Sequence, residues 1–361
     1  MSGYGFYPNC LPVLIGSIPM NDHLAATELV LAHTPEIPLW VQLPAFREEG
    51  MMAQFLPGMP GLTEDKGRLF IDAQGDRYET EALAFYEAFM AESEAERICA
   101  SSRFALQPDT AKGFFVLLDR IKDREPLPLA VKGQITGPIT FATGVCDAAG
   151  RAIFYNDQLR DAAVKLIAMK ARWQAQQLKQ FGKPVVIFFD EPALAGYGSS
   201  AFISISREDI STCFAEVIEA VHKEGAVAGI HVCANADWSL LLESATDVIS
   251  FDAYAYFDKL ILYEGPLRGY LQRGGLLAWG IVPTANAEDI DKETVETLTA
   301  SWWEKVRRIE ACGISRETLL AQSFITPSCG TGSLSLAHAK KVLSLTRAVS
   351  QQIRKTKAPS K

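Results

Sequence analysis

His231 and Cys233 stand two residues apart at the end of an apolar run, 226–232, that reads as a buried strand. Strand side chains repeat every second residue, so an imidazole and a thiol at this spacing share a face and can chelate one ion. Cys329 follows a second such run and Asp252 closes a third. Two thiolates, one imidazole and one carboxylate form a donor set suited to zinc. A His-x-Cys pair alone is more often a hydrogen-bonded core histidine beside a buried thiol. The strand-end positions of Cys329 and Asp252 tip the reading toward a metal. Cys10, Cys99, Cys146, Cys213 and Cys312 fall in helical or loop patterns, where a small buried hydrophobe is the ordinary explanation. Seven scattered cysteines, an odd number, suit reduced thiols better than a disulfide framework.

The elements that must hold these residues recur along the chain. Eight short apolar runs, 11–17, 37–43, 127–133, 184–189, 226–232, 247–252, 276–282 and 319–325, have the character of buried strands. Amphipathic stretches at 21–33, 157–181, 207–223, 289–311 and 335–353 lie between or after them. Strand-then-helix units repeated in this way predict an α/β fold, a TIM (β/α)8 barrel in a single domain over 1–361. Residues 45–126, after the second run, are too many for one helix. They read as an insertion over the barrel mouth, with a hairpin around Gly75-Asp76 and a helix over 79–96. Its apolar residues, Met51, Met52, Phe55, Met59 and Leu62, suit a loop packed on its own barrel or a surface for a partner protein. The basic tail, 354–361, is expected to fray. In such barrels the chemistry sits at the C-terminal ends of the strands. Ile15-Gly16-Ser17 and Asp190-Glu191-Pro192 fall there too.

Composition narrows the partners. Of 361 residues, 48% are hydrophobic and 22% charged, enough apolar material for a large core. With 35 Lys+Arg against 43 Asp+Glu, the net charge of -8 offers no broad footprint for nucleic acid or an anionic membrane. No run of about 18 apolar residues occurs, and the first twelve residues lack the basic and apolar parts of a signal peptide. The expected location is the cytoplasm.

Taken in order, Ile15-Gly16-Ser17, Val131-Lys132-Gly133-Gln134-Ile135-Thr136-Gly137-Pro138, Phe189-Asp190-Glu191-Pro192-Ala193-Leu194, His231-Val232-Cys233, Asp247-Val248-Ile249-Ser250-Phe251-Asp252 and Cys329 resemble the catalytic domain of the cobalamin-independent methionine synthase family. The likeness covers about residues 10–350, and its metal motif is more specific than its Gly-Pro turn. It implies a TIM barrel related to uroporphyrinogen decarboxylase and a zinc ion bound by His231, Cys233 and Cys329, with Asp252 where the family has Glu. Asp is one methylene shorter, so direct ligation, ligation through water and a purely structural carboxylate all remain open. The resemblance also implies that Ile15, Gly16 and Ser17 hold an amino-acid carboxylate and that Asp190 binds its ammonium group. A helix cap at Asp190, a plain turn at Ser17 and a structural partnership for Glu191 are the alternatives.

Two features of the folate-using members are absent from this sequence. It has no second barrel-sized domain, and 279–284 lacks the histidine that moves a proton in that family. The family's acidic substrate contact after the second strand is unmatched at Gln42-Leu43-Pro44, with Glu48 and Glu49 lying beyond. The chain looks more like the short core methionine synthases, which take methyl from a corrinoid protein. The expectation is therefore a zinc-dependent methyltransferase acting on homocysteine, with a methylated corrinoid protein as donor. Competing readings are another acceptor thiol such as coenzyme M, a metal-free decarboxylase of the uroporphyrinogen type, and a non-catalytic zinc- or thiol-binding barrel.

Overall fold

The computed structural model describes residues 5–198, 202 and 204–357. In chain order, β1 (Leu11–Pro12) and α1 (His23–His33) lead to a hairpin of β2 (Leu62–Asp65) and β3 (Arg68–Ile71), then to α2 (Tyr78–Ser93) and α3 (Lys112–Lys122). Strands and helices then alternate. β4 (Val131–Thr136) precedes α4 (Pro138–Gly144) and α5 (Asp157–Leu178), and β5 (Val185–Asp190) precedes α6 (Arg207–Lys223). β6 (Val227–Val232) precedes α7 (Trp238–Leu242), and β7 (Val248–Phe251) precedes α8 (Ala253–Leu260) and α9 (Glu264–Gln272). β8 (Leu276–Val282) is followed by α10 (Ala287–Lys292), α11 (Val295–Ala311) and α12 (Arg316–Ala321), and β9 (Ser323–Pro327) by α13 (Leu336–Lys357).

Seven strands form one curled parallel sheet in the order β1-β9-β8-β7-β6-β5-β4. Period-two alternation sorts their side chains into two cores. Leu11, Val186, Phe188, Val227, Val248, Leu276, Ala278 and Phe324 pack together on one face. Ile187, Phe189, Ile230, Val232, Ile249, Trp279 and Ile281 face the helices on the other. Both faces are buried, which is why the strands read as continuous apolar runs.

The expected second strand, 37–43, does not ladder. It makes single parallel bridges, Leu39 to Lys132 on β4 and Gln42 to Ser17 beyond β1, so it links the two edges of the sheet. Pro38 and Pro44 remove donors that a ladder needs. The expected third strand is found at Val131–Thr136, after the prolines at 126 and 128, and the expected eighth at Ser323–Pro327. Residues 316–321 instead form α12, capped by Ser315, whose hydroxyl accepts from the Thr318 N–H at 3.1 Å.

Within 45–126, the hairpin turns at Lys66-Gly67 rather than at Gly75-Asp76. Both turn residues have positive φ, 48° and 80°, the requirement of a two-residue turn between twisted strands. Lysine is an uncommon first residue for that turn, so the sequence signal was weak. The expected helix at 79–96 is α2, ending at Ser93, where buried Arg172 of α5 binds the carbonyls of Glu92, Ser93 and Ala95. The chain stays helical through Lys357, including the first part of the expected tail; 358–361 lie outside the described residues. No described helix is long and apolar enough to cross a membrane.

Helix α3 lies directly against the linking segment. A Cβ on Gly113 would stand 2.1 Å from the Val41 carbonyl oxygen, a contact that neither backbone can relieve locally. Gly113→Ala is expected to cost about 1–3 kcal/mol of stability, read as a lowered urea midpoint at unchanged slope.

Candidate metal centre

Parallel strands put their C-terminal ends on one rim, and the chemistry-bearing residues meet there. His231 is next to last in β6, Cys233 immediately follows that strand, and Cys329 lies two residues beyond β9. The ligand atoms of these three side chains lie within 4.8 Å of one another. His231 is buried, and its Nδ1 is engaged by the Ser250 hydroxyl at 2.9 Å from the neighbouring strand. Its other nitrogen, Nε2, is buried with no partner. An orphaned imidazole nitrogen is costly in a protein interior. Beside two sulfurs, it is the arrangement a metal would complete.

Electrostatics favour anionic sulfur. The neighbouring Cys329 thiol and the His231 imidazole hold the Cys233 thiol well below its ordinary range, against the effect of burial. Cys329 is pushed the other way, up, by the adjacent Cys233 sulfur and by burial, so the two thiols titrate as a pair. Two soft sulfurs and an imidazole fit zinc in donor type and number, with a fourth position left for another group.

Asp252 stands apart from this trio. Its carboxylate caps α8, accepting from the Ala255 N–H at 2.9 Å, and it is not one of the atoms within 4.8 Å of one another. Burial pushes its pKa up to about 6, with the Cys233 charge adding to the effect.

The trio opens into a cavity of about 350 Å³ lined by Ile15, Ser17, Gln42, Glu49, Met51, Thr136, Asp190 and Pro192 as well. Asp190 ends β5 and pairs in register with His231. Its Oδ1 is buried and unpartnered, and burial raises its pKa while His231 and Lys132 oppose the rise. The helix-cap alternative for Asp190 is thus not what the structure contains. The Ser17 hydroxyl is already engaged, accepting from the Gly332 N–H at 3.2 Å. Among the described residues, no acceptor pairs with the N–H of Gly16 or Ser17. Gly16 lies so close to Gln42 that a Cβ would fall 2.6 Å from its Oε1.

Glu191 is structural. Its carboxylate accepts from the Ile139 and Thr140 N–H groups and the Thr140 hydroxyl at 2.9, 2.8 and 2.6 Å, tying β5 to the start of α4. Glu49 received no role from the sequence, yet it reaches the cavity wall. His23 Nε2 meets its Oε1 at 2.5 Å, and the Leu43 N–H donates to its Oε2 at 2.8 Å. Only the fold reveals that pairing, because 26 residues separate His23 from Glu49 and neither belongs to a strand motif.

No protein-family model matches the sequence, and no curated protein matches it. Solved structures do. A methyltransferase from Methanosarcina mazei superposes with a TM-score of 0.50 at 13% identity, covering 93% of each chain. A B12-independent methionine synthase from Shewanella sp. W3-18-1, in complex with selenomethionine, gives a TM-score of 0.47 at 17% identity over 68% of this chain. The present chain spans 66% of that synthase's length. At 13% identity the likeness to the Methanosarcina protein is one of fold, an α/β chain with a curled parallel sheet of the TIM-barrel type.

Two outcomes are expected of the metal site. Cys233→Ser and Cys329→Ser should each lose most bound zinc in elemental analysis while keeping the circular dichroism of the parent. Ser250→Ala, which frees His231 Nδ1, should weaken zinc binding about 10–100-fold in a chelator competition.

Proposed function

We propose that this chain is a zinc-dependent methyltransferase of the cytoplasm, built as one (β/α)8 barrel in which residues 36–42 fill the eighth strand position. Homocysteine is its acceptor, and a methylated corrinoid protein its donor. The observation that carries this reading is the convergence of His231, Cys233 and Cys329 on a cavity that also holds the unpartnered Asp190 carboxylate oxygen.

A zinc ion held by His231, Cys233 and Cys329 would supply the positive charge that makes an incoming thiol, of pKa about 8.5 when free, nucleophilic at neutral pH. Two sulfur ligands return electron density to the ion, which suits alkyl transfer better than water activation. The chain's own residues bind and orient. Asp190 takes the ammonium group of the acceptor. The unpaired Gly16 and Ser17 N–H groups take its carboxylate. Ile15, Pro44, Met51 and Pro192 wall the cavity with apolar surface, excluding water from the line of attack. In the transfer, the acceptor sulfur forms a bond to the methyl carbon, the cobalt–carbon bond breaks with its electron pair left on cobalt, and the thiol proton passes to solvent. Cobalt leaves without protonation, so the chemistry requires no acid where 279–284 lacks a histidine. At that strand end Thr284 and Ser328 bind each other instead, at 2.9 Å.

The decisive assay supplies zinc, homocysteine and methylcobalamin and measures methionine together with loss of the methylcobalamin spectrum. Methionine from methylcobalamin or a methylated corrinoid protein is the expected product. Folate-dependent turnover at a comparable rate would exclude the proposed donor, and no methyl transfer from any donor by zinc-replete protein would exclude the activity. Asp190→Asn should raise the KM for homocysteine about 10–100-fold with zinc content unchanged, the loss of one charge-assisted hydrogen bond.

A further inference from the structure

The polar residues of β4 form a column. Lys132, Gln134 and Thr136 alternate onto one face of the strand, with Thr136 at the cavity and Lys132 four residues deeper. Lys132 is wholly buried. Its ammonium nitrogen donates to the Ile15 carbonyl at 2.8 Å and to Gln134 Oε1 at 3.3 Å, and it lies 4.5 Å from the centre of the Phe188 ring. Phe188 belongs to the apolar cluster within the curl of the sheet. The amine therefore sits at the seam between that apolar floor and the cavity above.

Burying an ammonium group is expensive, and a methionine would fill the same space without the desolvation cost. The lysine does something a methionine cannot. Regular pairing of β1 stops at Pro12, and after the Val13 N–H bonds to Ile325 the chain runs on to the cavity without a ladder. Lys132 supplies the donor for the Ile15 carbonyl in that stretch. A peptide unit is planar, so anchoring this carbonyl fixes the orientation of the Gly16 N–H across the same plane. Gln134 makes the companion tie, donating from Nε2 to the Trp40 carbonyl at 2.7 Å in the linking segment. Two N–H donors suffice for both bonds of Lys132, so the anchoring holds for the charged and the neutral amine alike.

We propose that Lys132 is a positioning residue: from beneath the cavity it fixes the Ile15–Gly16 peptide plane, and with it the edge that meets the amino-acid end of the acceptor. This role rests on the acceptor reading above. It separates two parts of ligand recognition. The metal trio binds sulfur whether or not Lys132 is present, whereas discrimination of an amino-acid thiol from a bare thiol depends on the anchored edge.

The test uses full-length cobalt-loaded protein and follows sulfur-to-cobalt absorbance during titration with L-homocysteine or 2-mercaptoethanol. The parent protein should prefer L-homocysteine. Lys132→Met should lose at least tenfold of that preference, with metal stoichiometry unchanged, the 2-mercaptoethanol constant within twofold, and a melting temperature no lower than the parent's. Should Lys132→Met not accumulate folded, Lys132→Gln, too short to restore the bond to Ile15, gives the same reading. A variant that keeps the full preference overturns the role of Lys132, as does a parallel weakening of both thiols with a lowered melting temperature, the mark of a merely structural residue. A parent protein with no preference overturns the acceptor reading and this role with it, a result distinct from preference retained in the variant.

Discussion

One unpaired nitrogen organises the site. His231 Nε2 is buried without a partner while Ser250 occupies the other face of the ring, so the imidazole is held in place and aimed at two sulfurs. Left alone, such a group opposes folding by the cost of an unmade hydrogen bond. Completed by a soft cation, the same group becomes a source of binding energy, and metal affinity and folded stability become one equilibrium. The strand ends that bring the trio together must tolerate this tension, and their dense packing on both faces of the sheet allows it.

The surroundings divide labour between holding and binding. Glu191, Ser250 and the Gln134–Trp40 tie are satisfied groups whose bonds fix the rim. Asp190 Oδ1 is unsatisfied at the cavity wall, which Ser17 also lines, and no acceptor among the described residues pairs with the Gly16 or Ser17 N–H. Adjacent residues in one motif can thus differ in kind. Asp190 and Glu191 are neighbours and both carboxylates, but strand alternation sends one into the cavity and the other to the start of α4. The motif could not reveal that division by composition alone.

Much of the architecture was legible because buried parallel strands are apolar throughout and helices have a longer period. The runs containing Val227–Val232 and Leu276–Val282 fall where the sequence put them, and so does helix Arg207–Lys223. The errors have local causes. Prolines displaced β4 and reduced 37–43 to single bridges, and a Ser-capped helix took the start of the expected last strand. The approach of Cys329 to His231 and Cys233 followed from strand-end logic. The cap at Asp252 was less accessible, since a carboxylate beginning a helix and one awaiting a metal look alike in sequence. Pairings between distant loops, such as His23 with Glu49, left no periodic trace to read.

The linking segment gives the molecule an uneven mechanical character. β4 and β5 share six registered pairs, whereas residues 36–42 touch each side through only a few isolated bonds. Packing, not pairing, secures this segment: Leu39, Trp40, Val41 and Leu43 are fully buried, and Gly113 of α3 lies against the Val41 carbonyl. The same stretch leads directly into the wall at Glu49–Met51. The scaffold is thus sewn unevenly, one side fastened by side chains where the others are fastened by backbone ladders.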